Sequence, residues 1–273
     1  MDVTGNAFVT GGGSGIGKAA CLALAKEGAS GILVVDINVK AAEATAAEAI
    51  AIASNPSFRA EAFGIDVSVE ESVKKAVAHM VQSFERIDYC VHCAGITVQS
   101  ATPMAEASFS EFQTLVTNHV HGTFLVNSHI LAVMKTQELK PVDTATPYLG
   151  GTRGSVVNLG SVLATWAAPG FVPYIASKHA VLGISRTAAI DHAGSGIRVN
   201  CVCPTWVDTP LFDRSVKVIP GLDRETALSG IPMNRLCTAK EVSDAILFLC
   251  GTRSSFITGI ALPVDGGHDI CRV

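Results

Sequence analysis

Charge is scarce in this sequence and neither sign prevails: 16% of its 273 residues are charged, and the net charge is -4. Without a broad basic field, nucleic acid and anionic membrane surfaces find little to hold. No apolar run reaches the ~18 residues that a bilayer-spanning helix needs. The opening stretch MDVTGNAFVT has neither a basic start nor an apolar core. A first strand beginning near Ala7 therefore leaves no room for a removable signal, and the expected location is the cytosol. Aromatic residues are few, with only 2 Trp. Cysteine is present at 21, 90, 93, 201, 203, 237, 250 and 271, but no disulfide framework is; most of these residues sit inside apolar segments, as reduced buried thiols do. The paired Cys or His arms of structural zinc are also missing around Cys90, His92 and Cys93, so no metal is expected. Neither Ser14 nor Ser161 completes the G-x-S-x-G of a serine hydrolase.

What is there suits one compact domain over residues 1–273, since 48% of the chain is hydrophobic. Short β-branched runs alternate with longer Ala- and Leu-rich segments of helical period, the βαβ signature of a doubly wound α/β fold with a mostly parallel sheet. Strands are expected near 7–10, 31–36, 60–65, 88–92, 155–159, 198–203 and 260–264, with helices on both faces. Within 68–85, Val73, Ala76, Val77, Met80, Val81 and Phe84 make one apolar stripe. Ser68 with Glu71, Ser108 with Glu111 and Thr238 with Glu241 have the spacing of capping boxes. The stretch 135–153 breaks every period and is expected to be a surface loop.

The string TGGGSGIGKA from Thr10 to Ala19 poses the first chemical question. It nearly completes a nucleoside-triphosphate loop, but Ala19 stands where a magnesium-binding hydroxyl is required. The alternative is a dinucleotide loop, in which glycines let the backbone approach a pyrophosphate at a helix N-terminus. A strand before the loop and a helix from near Ile16 favour that reading. The second strand, GILVVD, ends in Asp36, about 20 residues past the loop, where a carboxylate accepts from both hydroxyls of an adenosine ribose. A 2′-phosphate would meet a like charge there, and neither Ile37 nor Asn38 supplies a cation. NAD is therefore expected over NADP, which Lys18 and Lys40 keep open as the alternative.

In PYIASKHAVLG, Tyr174 and Lys178 are spaced i, i+4 and share a helix face. A free phenol has a pKa of ~10, and lowering it by about three units takes on the order of 4 kcal/mol. A neighbouring ammonium supplies stabilisation of that kind.

Taken together, the motifs resemble those of the short-chain dehydrogenase/reductase family from Phe8 to about Gly267. They are T-G-x-x-x-G-x-G at Thr10, Gly11, Gly15 and Gly17; Asp36; Asp66-Val67; Ala94-Gly95; Asn118 and Gly122; Ser161; Tyr174 and Lys178; and Pro204, Val207 and Thr209. His92-Cys93 stands where the family has Asn-Asn, and Thr205 where it has Gly. The resemblance implies a single Rossmann-type domain and hydride transfer between a secondary alcohol and a nicotinamide cofactor. Tyr174 would be the general base or acid, Ser161 would donate to the substrate oxygen, and Lys178 would hold the ribose and lower the Tyr174 pKa. Asn118 would kink its helix around a water leading to Lys178. The implied cofactor set adds Gly13, Ser14, Ile16, Ile37, Cys93 and Pro204. Within it Asp66 and Val67 would meet the adenine, Ala94 and Gly95 the ribose, and Val207 and Thr209 the carboxamide.

Ligands in such folds sit beyond the carboxyl ends of the strands. There the chain places Val162, Leu163, Trp166, Phe171, Trp206, Leu211, Phe212, Val218, Ile219 and Met233. A bulky apolar substrate is expected, such as a terpenoid, steroid-like or polyketide ring alcohol of secondary metabolism, oxidised beneath a lid over about 205–236. The other readings are an NADPH-dependent ketoreductase and an NAD-binding sensor without turnover. A homo-oligomer, tetramer or dimer, is expected to form through helices 108–134 and 174–193.

Overall fold

The computed structural model describes residues 3–142 and 150–271. In chain order the main elements are β1 (Asn6–Thr10), α1 (Gly15–Lys26), β2 (Gly31–Asp36), α2 (Val39–Ile52), β3 (Arg59–Gly64), α3 (Glu70–Phe84) and β4 (Tyr89–His92). The second half holds α4 (Phe109–Leu115), α5 (Gly122–Thr136), β5 (Gly154–Leu159), α6 (Val172–Ala193), β6 (Ile197–Pro204), α7 (Pro210–Val218), α8 (Arg224–Ser229), α9 (Ala239–Cys250) and β7 (Ala261–Val264). Seven strands form one sheet in the order β7-β6-β5-β4-β1-β2-β3. Every pairing in it is parallel.

Strand periodicity builds two cores. Ala7 and Val9 of β1 and Ile32 and Val34 of β2 face one way, where α1, α2 and α9 cover them with Ala20, Leu24, Ala42, Ala46 and Ile246. Phe8, Leu33 and Val35 face the other way, against Val73, Met80, Ile130 and Met134 of α3 and α5. Successive side chains on a strand point to opposite faces, so a continuous apolar run with both faces covered is what this alternation requires. The register also aligns the carboxyl ends: Thr10 lies opposite His92, His92 opposite Asn158, and Asn158 opposite Cys201. Chain order reverses between β1 and β4, and the crevice at that switch point is where such sheets take ligands.

Three local expectations meet different outcomes. Thr238 and Glu241 form a full capping box at α9. Ser108 caps α4, but the Glu111 carboxylate turns instead to the backbone N–H of Gln99 and to Ser100. Ser68 caps nothing: α3 begins after Val69, and Ser68 donates through its N–H and hydroxyl to Asp66 Oδ1 at 2.9 and 2.6 Å. The local turn outcompetes the helix cap for that hydroxyl. Of the expected loop 135–153, residues 143–149 lie outside the described residues. Within the rest, α5 runs on to Thr136, and Lys140–Pro141 pairs antiparallel with Gly151–Thr152.

Candidate active site

The glycine loop leaves β1 with two left-handed residues, Gly11 (φ +64°) and Gly15 (φ +53°). A Cβ on Gly17 would stand 2.2 Å from the Gly11 carbonyl oxygen, and one on Gly11 would stand 2.9 Å from the Ala94 nitrogen. Backbone atoms cannot yield as a side chain does, so the loop folds this way only with glycine there. Asp36, at the end of β2, accepts from the N–H of Gly13 and of Asn38, each at 2.9 Å, which fixes the carboxylate beside the loop. Lys18 points away to α2, where its ammonium pairs with Glu48 at 2.6 Å. Ser14 sits at the N-cap of α1 with no side-chain cap bond, and the first turn carries no acid, leaving the positive end of the helix dipole uncompensated by its own chain. Ile37 is exposed beside Asp36. Asp66 and Val67 follow β3, Val67 buried and Asp66 engaged with Ser68.

A cavity of about 310 Å³ opens beyond the carboxyl ends of β4, β5 and β6. Ser161, Tyr174 and Lys178 line it together with Ile16, Cys93, Gly95, Pro204, Val207 and Thr209. Ser161 leaves β5 and caps a short turn, its hydroxyl accepting from Leu163 N–H at 3.1 Å. Tyr174 and Lys178 lie in the first turns of α6, which Pro173 opens as a good N-terminal residue. Lys178 is buried; its ammonium donates to the Leu159 carbonyl at 3.0 Å and stands 5.6 Å from the centre of the Tyr174 ring. Asn118 does not line this cavity. It sits in a π-helical segment, Val116–His121, that joins α4 to α5, and its buried Oδ1 has no partner among the described residues. A π segment inserted between helices is a local bulge of the kind that gathers at functional sites.

The apolar wall is made by Val162, Leu163, Trp166, Phe171, Trp206, Leu211, Phe212 and Ile219. Val218 and Met233 are corrections to the expected wall: both are exposed, at 37% and 66%. On the amphipathic α7, Leu211, Phe212 and Ser215 face the cavity while Val218 faces away. Ser215 meets Thr97 at 2.7 Å, tying α7 to the loop after β4.

Histidines are what sequence reasoning missed here. His92 is buried, with Nδ1 2.8 Å from the Thr10 hydroxyl, which also receives the Ala94 N–H at 3.1 Å. Burial, and then the charge of Lys178, holds its pKa down to about 3. His119, in the π segment, is also buried and lines the cavity; burial foremost, then Lys178, keeps it well below the usual histidine value. The available signal was a histidine directly after Asn118, between Val116 and Val120. His268 reaches the cavity from beyond β7, its Nδ1 against the hydroxyl of Thr205 and its ring edge-on to Trp166. His179, by contrast, turns outward to the Ile175 carbonyl. The Cys93 thiol, in the wall, is pushed up to about 12 by burial against the opposing pull of Lys178, so it stays protonated.

This arrangement has relatives. A family model described as Enoyl-(Acyl carrier protein) reductase matches residues 11–269. The short-chain dehydrogenase fogB of Aspergillus ruber is 48% identical over 267 residues, covering 98% of this chain and 97% of its own. The short-chain dehydrogenase srdC of Neurospora crassa is 49% identical with the same coverage. Among solved structures, levodione reductase superposes with a TM-score of 0.85 at 29% identity, covering 98% of both chains. A 3-ketoacyl-(acyl-carrier-protein) reductase from Brucella melitensis complexed with NADH superposes at 0.81 and 29% identity, covering 97% of this chain and 98% of its own.

Proposed function

This chain belongs to the short-chain dehydrogenase/reductase family, and from that premise we propose that it interconverts a secondary alcohol and a ketone on a bulky, largely apolar substrate, with NAD as cofactor. The observation that carries the reading is the convergence of Ser161, Tyr174 and Lys178 on one cavity whose remaining wall is mostly apolar.

A dinucleotide fits the residues of the loop, because Gly11 and Gly17 let it pack backbone against backbone at the N-terminus of α1, where no side-chain cap and no first-turn acid compete for an anion. Gly11 to Gly17 would receive its pyrophosphate, and Asp36 would accept from the adenosine ribose hydroxyls. Asp36 beside the loop and Lys18 committed to Glu48 favour NAD over its 2′-phosphorylated form. When bound, the nicotinamide ring supplies the hydride acceptor or donor. Tyr174 takes the hydroxyl proton of the alcohol, or returns it to the carbonyl oxygen. Ser161 donates to that same oxygen and holds its distance from Tyr174. Lys178, anchored by the Leu159 carbonyl, sets its ammonium 5.6 Å from the centre of the Tyr174 ring, where it would also hold the cofactor ribose. His92 and His119 remain neutral, so Lys178 is the cation that acts on the phenol.

Oxidation is the proposed direction, on the ground that NAD is mostly oxidised in cells. The reductase names of two structural neighbours favour ketone reduction as the second reading. Assembly into dimers or tetramers is proposed through α4, α5 and α6, which carry the exposed Phe109, Phe124 and Ile190.

The test is absorbance of reduced nicotinamide with NAD or NADP and a panel of alcohols running from lactate to 1-tetralol and steroid alcohols. Turnover is expected on the bulky members with NAD, and Tyr174→Phe should lower kcat/KM by about 10²–10⁴-fold while keeping NADH binding. Activity confined to short hydroxy acids, or a Tyr174→Phe variant as active as the parent, overturns the reading.

A further inference from the structure

Beside the proton-transfer residues stands a second buried network that the chemistry above does not use. His119 Nε2 lies 3.1 Å from the backbone nitrogen of Ile96. An N–H only donates, so Nε2 carries the lone pair and the neutral ring has its proton on Nδ1. That proton points to Ser177 Oγ at 2.8 Å, and the Ser177 hydroxyl in turn donates to the Tyr174 carbonyl at 2.7 Å. Every donor and acceptor in the chain Ile96, His119, Ser177, Tyr174 is satisfied by this one tautomer. The His119 ring also stands edge-on to the Tyr174 ring, centroids 5.6 Å apart at 84°. His119 and Ser177 are 1% and 0% exposed, so no water competes for these bonds.

We propose that His119 is a positioning residue with two separable grips: Nε2 holds the turn Ala94–Ile96, where the cofactor ribose is expected, and Nδ1–H holds the first turn of α6 through Ser177, setting the Tyr174 phenol. The proposal rests on the reading given above. The space is shaped for this contact, since a Cβ on Gly95 would stand 3.3 Å from His119 Nε2. Protonation is blocked on both sides: a proton on Nε2 would face the Ile96 N–H, and burial beside Lys178 adds to the cost. The ring therefore serves as a fixed donor and acceptor and takes no proton from substrate.

Two amide variants separate the grips, because an Asn nitrogen replaces Nδ1–H and a Gln oxygen replaces Nε2. His119→Asn keeps the donor to Ser177 and loses the acceptor for Ile96; His119→Gln does the reverse. With NADH fluorescence as the binding probe, His119→Asn is expected to weaken NADH affinity about tenfold, the scale of one buried hydrogen bond, and His119→Gln to stay within about twofold. With 1-tetralol and NAD at saturation, His119→Gln and Ser177→Ala should each slow turnover about tenfold, and the double variant should be no slower than Ser177→Ala, as members of one chain are not additive. Equal shifts of NADH affinity in both amide variants, or none in either, overturn the proposal. Should an amide variant fail to fold, Ser177→Ala decides: slowed turnover with NADH affinity kept supports the proposal, and unchanged turnover overturns it. If the NADH split is seen but the parent oxidises no alcohol, the functional reading fails while the positioning role stands.

Discussion

At the scale of single residues, the buried histidines carry a pH signature. His92 titrates near 6.5 when unfolded, and the fold holds it down to about 3. Between those values the unfolded chain binds a proton that the native chain refuses, so stability rises with pH across the window and falls as pH drops below about 6.5. His119 acts with the same sign. Glu241 works in another range, since Arg235 and then Thr238 hold it down to about 2, and its stabilisation is lost only beneath the unfolded carboxylate value. Denaturant midpoints measured from pH 7 to 5 therefore isolate the histidines. A loss of about 2 kcal/mol from His92 alone is expected by pH 5, and His92→Asn, which retains an acceptor for Thr10, should flatten that slope. An unchanged slope would contradict the buried neutral imidazole. None of this was legible from His92 as a letter in YCVHCAG, because the value depends on burial and on Lys178, 86 positions away in the chain.

Among elements, those whose signals are local were readable. Apolar spacing in α3 places Val73, Ala76, Val77, Met80 and Phe84 in the core, while Val81 of the same stripe is left exposed. Thr238 with Glu241 closes a reciprocal cap because both partners sit at the start of α9, and the carboxylate keeps that cap while also accepting from Arg235. Thr238→Ala should cost about 1 kcal/mol in urea unfolding. Ser68, at the same spacing before α3, was lost to Asp66, since a hydroxyl beside an Asx turn has a nearer acceptor. The π segment at Val116–His121 was not readable as such: its apolar pattern matches an α-helix, and the widened hydrogen-bond register shows only in the folded chain. In the glycine loop the demand is steric and local. Gly17→Ala would drive a methyl into the Gly11 carbonyl, so NADH binding should be lost even if the sheet survives, as checked by fluorescence titration and circular dichroism.

Over the whole molecule, two apolar faces of one sheet are covered by helices, yet Phe124 on α5 and Ile190 on α6 stay 59% and 80% exposed. Exposed large apolar groups on neighbouring helices mark surfaces that association would bury. Phe124→Glu combined with Ile190→Glu should reduce the sedimenting mass to that of one chain, near 28.3 kDa, without lowering the melting temperature by more than a few degrees. A parent that already sediments as one chain would refute the proposed assembly.

The sequence by itself determined the strand and helix order, the parallel sheet, the glycine turn and the i, i+4 relation of Tyr174 to Lys178, because each follows from periodicity, sterics or spacing within a short segment. Tertiary structure alone decided that His119 bridges Ile96 and Ser177, that Lys18 turns to Glu48, and that Val218 and Met233 leave the cavity wall. Those outcomes rest on which residues distant in the chain meet, and on how much water is left between them, which no local pattern encodes.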